Sequence, residues 1–166
     1  MFEKSIELLN RAVRDELSAV HQYMYFHFHL DDQGYDPLSA LFKRTAILEM
    51  GHVELLAERI LFLKGDVTMQ VAEEVKPVNE VEQILEMARQ MELSSAHDYN
   101  LWANECSANA DSVSKKLFEQ LVADEEGHYA QFDNELDKVK QFGDRYLALQ
   151  SMERSKNAAS APGSAA

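Results

Sequence analysis

Four glutamates stand where a helical protein expects apolar side chains. Glu16 shares its helix face with Leu9, Val13, Val20 and Tyr23, and Glu49 shares its face with Phe42, Ala46, Val53 and Leu56. Glu92 lies with Leu85, Ala88, Ala96 and Tyr99, and Glu125 with Phe118, Leu121, Val122, Tyr129 and Phe132. Spacings of three, four and seven residues put each acid on the apolar stripe of its helix. A buried, unpaired carboxylate is costly or takes up a proton, so four that converge in one core call for cations between them. His52 follows Glu49 by three residues, and His128 follows Glu125 by three. One helical turn places both members of each pair on the same face, within reach of one centre.

A single Glu-x-x-His is weak evidence, because an exposed pair at that spacing is a common helical hydrogen bond. The repetition carries the weight. Glu49 follows Glu16 by 33 residues, as Glu125 follows Glu92, and one offset of 76 residues relates Glu16 to Glu92, Glu49 to Glu125 and His52 to His128. Two halves of the chain therefore carry the same candidate ligand set. Four carboxylates and two imidazoles, with one Glu from each of two helices and Glu-x-x-His from the other two, match the dinuclear carboxylate site of helical bundles. Two divalent ions would neutralise the four carboxylates, and oxygen and imidazole donors suit iron or manganese. In this arrangement Glu49 and Glu125 bridge the ions, Glu16 and His52 complete one position, and Glu92 and His128 complete the other. Two adjacent Fe(II) ions could then pass two electrons together to O2 or peroxide.

The elements that must hold these residues are helices. Apolar positions predict a first helix over 3–30, a second from about Pro37 to Lys64 that stops at Gly65, and a third from about Asn79 to Asn109. Asn79 with Glu82 three residues on reads as a capping box for the third. Asp111 caps a fourth helix that runs to Phe142, and a short fifth spans Asp144 to Arg154. Residues 66–78 lack a period and form a long connection, sufficient to cross the length of a bundle. The expected architecture is all-α: a four-helix bundle with a long crossover between helices 2 and 3 and a short C-terminal helix. The domain is expected over residues 1–154, and the Ser/Ala-rich stretch 155–166 is expected to be a flexible tail.

Composition narrows the function classes. The chain has 166 residues with 16 Lys and Arg against 29 Asp and Glu, a formal charge of −13. Such a surface repels phosphate backbones and argues against nucleic acid as a partner. No apolar run approaches the ~18 residues of a membrane helix, and no basic, apolar-cored leader opens the chain. The single cysteine, Cys106, excludes an internal disulfide and a thiolate-cage zinc site. The expected setting is the cytoplasm.

Over about residues 5–154 the sequence resembles the bacterioferritins. The resemblance rests on Asp15-Glu16-Leu17-Ser18-Ala19-Val20-His21-Gln22-Tyr23, on Glu49-Met50-Gly51-His52 running into Glu58-Arg59-Ile60-Leu61-Phe62-Leu63, and on Asp124-Glu125-Glu126-Gly127-His128. It implies a ferritin-like fold and a ferroxidase centre that oxidises Fe(II) with O2 or H2O2. It also implies a homo-oligomeric shell of twenty-four subunits that stores ferric mineral, and a ferredoxin-type reductant for iron release. Tyr23 matches the tyrosine beside the family's di-iron site, an electron donor by that analogy. The family's haem b is held between two subunits by one methionine from each. Met50 fits that role, since it is rotated about 100° from Glu49 and points away from the metal site; a thioether is a soft ligand that favours Fe(II) haem. Leu17, Val20 and Met24 could supply apolar walls.

Gly143-Asp144-Arg145-Tyr146-Leu147-Ala148-Leu149-Gln150 resembles the family's fifth helix near the fourfold axes, which twelve-subunit relatives generally lack. The alternative with the same site is that smaller Dps-like cage, acting chiefly as a peroxide-consuming ferroxidase. A rubrerythrin-like peroxidase would need four cysteines. The sequence also departs from the family pattern. Arg44 and Leu48 stand where relatives carry the His and Asp of an inner-surface iron site, and Lys64 and Ala130 replace acids of a cation pore. Asp32 and Asp137 keep acidity nearby, and the iron entry route through this chain is left open.

Overall fold

Apolar residues every three or four positions, with few Gly or Pro to interrupt them, build four long helices, each with one stripe to bury. In a computed structural model that describes residues 2–163, these are α1 (Glu3–Asp32), α2 (Asp36–Phe62), α3 (Val81–Ala108) and α4 (Ser112–Phe142), followed by α5 (Asp144–Ser160). Among the described residues there is no strand. Among these residues no helix is long and apolar enough to cross a membrane.

α1 packs along α2, and α3 along α4. The core they enclose is split into two apolar clusters. Tyr23, Phe26, Phe42, Leu85, Phe132 and Leu136 belong to one, and Leu9, Val13, Leu56, Tyr99, Trp102 and Phe118 to the other. Following each chain segment from one cluster to the other shows that α1 runs with α4, and α2 runs with α3. The link from α2 to α3 must therefore travel the length of the bundle, as the long crossover predicts.

That link lies along the polar face of α1. Asn10 Oδ1 accepts from Thr68 N–H, Ser18 Oγ accepts from the N–H groups of Ala72 and Glu73, and Gln22 exchanges two hydrogen bonds with the backbone of Lys76. Asn10, Ser18 and Gln22 recur at multiples of four, so one stripe of α1 pins a strap that has no secondary structure of its own. Close approach fixes its start. A Cβ at Gly65 would sit 2.7 Å from Ile6 Cγ2, so any other residue there would have to displace Ile6, while Lys64 takes the left-handed turn at φ 66°.

Three local expectations are corrected. The N-cap of α3 is Glu80 rather than Asn79; its carboxylate accepts from the N–H groups of Glu82 and Gln83. The Asn79 side chain instead accepts from Tyr25 Oη. α2 closes at Phe62, a little before the expected Lys64. α5 does not stop at Arg154 but continues to Ser160, so the first residues of the expected tail are helical, and residues 164–166 of that tail lie outside the described residues. Asp111 caps α4 as expected, accepting from Ser114 N–H, and also pairs with Arg59 of α2 at 2.6 Å.

α5 is tied to the start of α2. Gln150 Oε1 accepts from the backbone N–H of Leu38 at 3.0 Å, and Arg154 bonds the Asp31 carbonyl and lies 3.6 Å from Asp36 Oδ1. Leu38 N–H lies in the first turn of α2, where no intrahelical carbonyl is available. Gln150→Ala leaves that buried donor unpartnered and should cost about 1–3 kcal/mol. Urea unfolding of the metal-free protein checks this; an unchanged midpoint means the α5 contact contributes nothing to α2.

Candidate metal centre

Between the two apolar clusters lies a polar layer. Glu16 of α1, Glu49 and His52 of α2, Glu92 of α3 and Glu125 and His128 of α4 are all almost fully buried. Their ligand atoms form two groups, each within 4.8 Å: Glu16, Glu49, His52 and Glu125 in one, and Glu49, Glu92, Glu125 and His128 in the other. Glu49 and Glu125 belong to both. All six residues read from the sequence as candidate ligands are thus brought together, with the two middle glutamates between the two histidines.

The distances describe cation positions better than they describe ordinary hydrogen bonding. Nδ1 of His52 lies 3.3 Å from Glu16 Oε1, 2.8 Å from Glu49 Oε2 and 3.1 Å from Glu125 Oε1. Nδ1 of His128 lies 3.1 Å from Glu49 Oε1, 3.4 Å from Glu125 Oε2 and 3.6 Å from Glu92 Oε2. One ring nitrogen carries at most one proton, so it cannot satisfy three carboxylates. Glu49 Oε2 and Glu125 Oε1 are accordingly buried without a hydrogen-bond partner. Buried oxygens of this kind, facing imidazole nitrogens, fit a pair of divalent ions that accept lone pairs from both.

Electrostatics without metal are correspondingly strained. Burial, reinforced by the charges of Glu16 and Glu92, pushes Glu49 up to about 8. Glu125 is also raised well above the usual range, by burial and then by Glu16. Burial alone would lower the histidines, but the carboxylates around them win: Glu125, Glu16 and Glu49 raise His52, and Glu125, Glu49 and Glu92 raise His128. Burial would likewise raise Glu16, yet its bonds to His52 hold it below the ordinary value. The centre keeps protons where ions would otherwise supply positive charge.

Tyr23 is buried on α1 and donates to Glu92. The pseudo-symmetry repeats this arrangement in a residue that the sequence reading placed only on the apolar stripe: Tyr99 Oη donates to Glu16 Oε1 at 2.6 Å. The offset of 76 that pairs the ligands also pairs these tyrosines, and it was the available signal. Asp124, whose Oδ2 lies 3.1 Å from His52 Nε2, was also missed. The same offset leads from Asp124 to Leu48, so symmetry gives no warning of it. Met50 is not part of the centre. It is 53% exposed on α2, beside Ile47, on the face of the helix away from Glu49. Arg44 and Leu48 are exposed one turn apart on the same helix.

A sequence model of the ferritin-like domain family matches residues 6–142. The bacterioferritin of Desulfovibrio desulfuricans is 39% identical over 87% of this chain and 81% of its own length. That of Brucella melitensis is 35% identical over 88% of this chain and 91% of its own. Among solved structures, the Desulfovibrio desulfuricans bacterioferritin, determined with its di-iron site in different catalytic states, superposes with a TM-score of 0.88 at 38% identity, covering 89% of this chain and 86% of that one. The Rhodobacter capsulatus bacterioferritin, described with a metal-free dinuclear site and a haem iron, superposes with a TM-score of 0.86 at 30% identity, covering 100% of this chain and 99% of that one.

The raised acids give a signed pH dependence. Between about 4.5 and about 8 the folded, metal-free protein keeps a proton on Glu49 that the unfolded chain has released. The folded state then binds more protons, and stability falls as pH rises. Denaturation midpoints in chelator should decline over that window, and Glu49→Gln, which stays neutral, should make the decline shallower. A Glu49→Gln slope equal to that of the parent contradicts the protonated, buried state of this carboxyl.

Proposed function

The chain belongs to the bacterioferritins, within the ferritin-like family, and on that premise we propose that it is an iron-storage ferroxidase: it oxidises Fe(II) at an intra-subunit centre and keeps the ferric product inside a hollow shell. The observation that carries this reading is the sharing of Glu49 and Glu125 between two four-residue groups, each completed by one histidine and one further glutamate. Glu16 and His52 hold one substrate ion, Glu92 and His128 the other, and Glu49 and Glu125 contact both. Two Fe(II) held together supply two electrons, enough to reduce O2 to H2O2, or H2O2 to water, with two protons taken up.

The remaining work belongs to the chain's own side chains. Glu49 and Glu125, with the two histidines, give up protons as the ions enter, because each is raised only while positive charge is lacking. Tyr23 and Tyr99 fix the orientation of the two terminal carboxylates by donating to Glu92 and Glu16. Burial, with the adjacent charge of Glu92, keeps the Tyr23 phenol protonated, and Tyr23 is the proposed local electron donor. The apolar clusters on either side limit access of bulk water to the layer.

The proposed haem site is the outer face of α2. Met50 and Ile47 are each 53% exposed there, and Leu17, Val20 and Met24 of α1 are partly buried. In an isologous dimer the Met50 thioether of each subunit would be available to hold one shared haem. Bound haem would carry electrons inward from a ferredoxin-type partner for iron release. The proposed assembly has twenty-four copies, supported by an α5 that keeps Leu149 and Met152 exposed although it is anchored to α2. The proposed setting is the cytoplasm, in keeping with a lone, buried, unpaired Cys106.

Three measurements test these assignments. Glu49→Ala and Glu125→Ala should each abolish the rapid phase of Fe(II) oxidation followed by stopped-flow absorbance; wild-type rates in both exclude the shared-ligand role. Met50→Leu should assemble normally yet lose the low-spin haem spectrum, and equal haem uptake overturns the ligand assignment. Light scattering should give the mass of a twenty-four-subunit particle, whereas half that mass favours the Dps-like cage.

A further inference from the structure

The offset of 76 residues relates every member of the centre to a counterpart of the same type: Glu16 to Glu92, Tyr23 to Tyr99, Glu49 to Glu125 and His52 to His128. It fails at one acid just outside the centre. Behind His52, on the side away from the carboxylates, Asp124 Oδ2 lies 3.1 Å from Nε2. The residue related to Asp124 is Leu48, which is half exposed and has no side-chain acceptor. Among the described residues, the carboxylates within ion-pair distance of His128 are Glu49, Glu92 and Glu125, and all three approach Nδ1. Its Nε2 has no acid behind it.

This difference matters because an imidazole ligand has two nitrogens, and the bond made by one sets what the other offers. A carboxylate on Nε2 holds the hydrogen there, leaves the Nδ1 lone pair directed at the ion, fixes the plane of the ring and makes it a stronger donor. His52 has such a partner. His128 has the three carboxylates on its inner nitrogen and the stacked ring of His52 at 5.9 Å, none of which fixes its outer nitrogen.

From this asymmetry we infer that the two metal positions of the centre are unequal: the Glu16–His52 position binds a divalent ion first and more tightly, and the Glu92–His128 position is the weaker, faster-exchanging one. Asp124 is a positioning residue, acting on the ion through His52, and Leu48 withholds the same help from His128. The inference rests on the dinuclear reading of the centre and adds to it an order of loading. The ion at the His128 side arrives second, so a chain holding a single Fe(II) holds it between Glu16 and His52, unable to complete two-electron chemistry until the weaker position fills.

The test is anaerobic Co(II) titration of the full assembled protein, followed by visible d–d absorption, with the Glu49→Ala signal subtracted to remove binding elsewhere. Two successive phases of one ion per chain are expected, separated by about 10–100-fold in affinity, the usual effect of an outer-shell partner. Asp124→Leu should weaken the first phase until the two merge, and Leu48→Asp should tighten the second. Melting of the metal-free variants reports whether either substitution acts through the fold instead. Two equal phases in the parent, or an unchanged gap in Asp124→Leu, overturn the inference while leaving the dinuclear centre standing. Absence of any Glu49-dependent Co(II) band overturns both.

Discussion

Four carboxylates in one layer of a closed core are the constraint on which the rest of this structure depends. Each is almost wholly removed from water, and each faces at least one of the others. Ionised together and unaided, they would repel one another at an effective dielectric far below that of water. Without metal, the molecule lessens the conflict by keeping protons on Glu49, Glu125 and the histidines; two divalent ions remove it by supplying the opposite charge. An apolar layer of equal volume would commonly be as stable or more so. The layer is therefore poorly explained as a source of stability and well explained as a receptor for cations.

The fold makes that layer affordable by separating it from the parts that provide cohesion. Each of the four long helices contributes apolar side chains to both clusters and places its buried glutamate between them. Aromatic packing flanks the centre on both sides, with Tyr23 against Phe42 and Phe132, and Tyr99 against Trp102 and Phe118. Those two tyrosines belong to both worlds, since their rings pack in the clusters while their hydroxyls bond the outer glutamates. Parallel alignment of α2 with α3 follows from the need to bring Glu-x-x-His motifs and lone glutamates from two similar halves to one level. The long strap on α1 is the consequence of that alignment, because a tight turn would have reversed the third helix.

Much of this was legible in the sequence, for a physical reason. Periodicity of three and four identifies helices, and an acid on an apolar stripe has few explanations, so Glu16, Glu49, Glu92 and Glu125 stand out without any structure. Features set by contacts between distant segments were not legible. The cap of α3 falls one residue after the expected Asn79, because Asn79 and Glu80 can both cap a helix and the Asn79 side chain is engaged by Tyr25 of α1. The end of α5 was placed too early because residues 155–160 have no apolar pattern, and the continuation past the Gln150 and Arg154 anchors carries little sequence signal. Tyr99 was legible in principle through the internal repeat but looks like core from its own neighbourhood alone. Asp124 was not, since its partner lies on another helix and its counterpart is a leucine.

α2 shows how one helix turn can serve two chemistries. Glu49 and Met50 are consecutive, so their side chains diverge by about 100°, one into the buried layer and the other onto an exposed apolar face. Nothing has to move for the two to be close along the chain and yet insulated from each other by the helix backbone. Leu48, half exposed in a third direction, is the internal counterpart of Asp124 and carries no acid. In the proposed arrangement these three successive residues bear, in turn, on the balance between the two ion positions, the sharing of both ions and the contact with a second subunit. A substitution in this short stretch changes one of these roles through its own side-chain direction, and only changes that disturb the helix itself, such as a proline, should affect all three together.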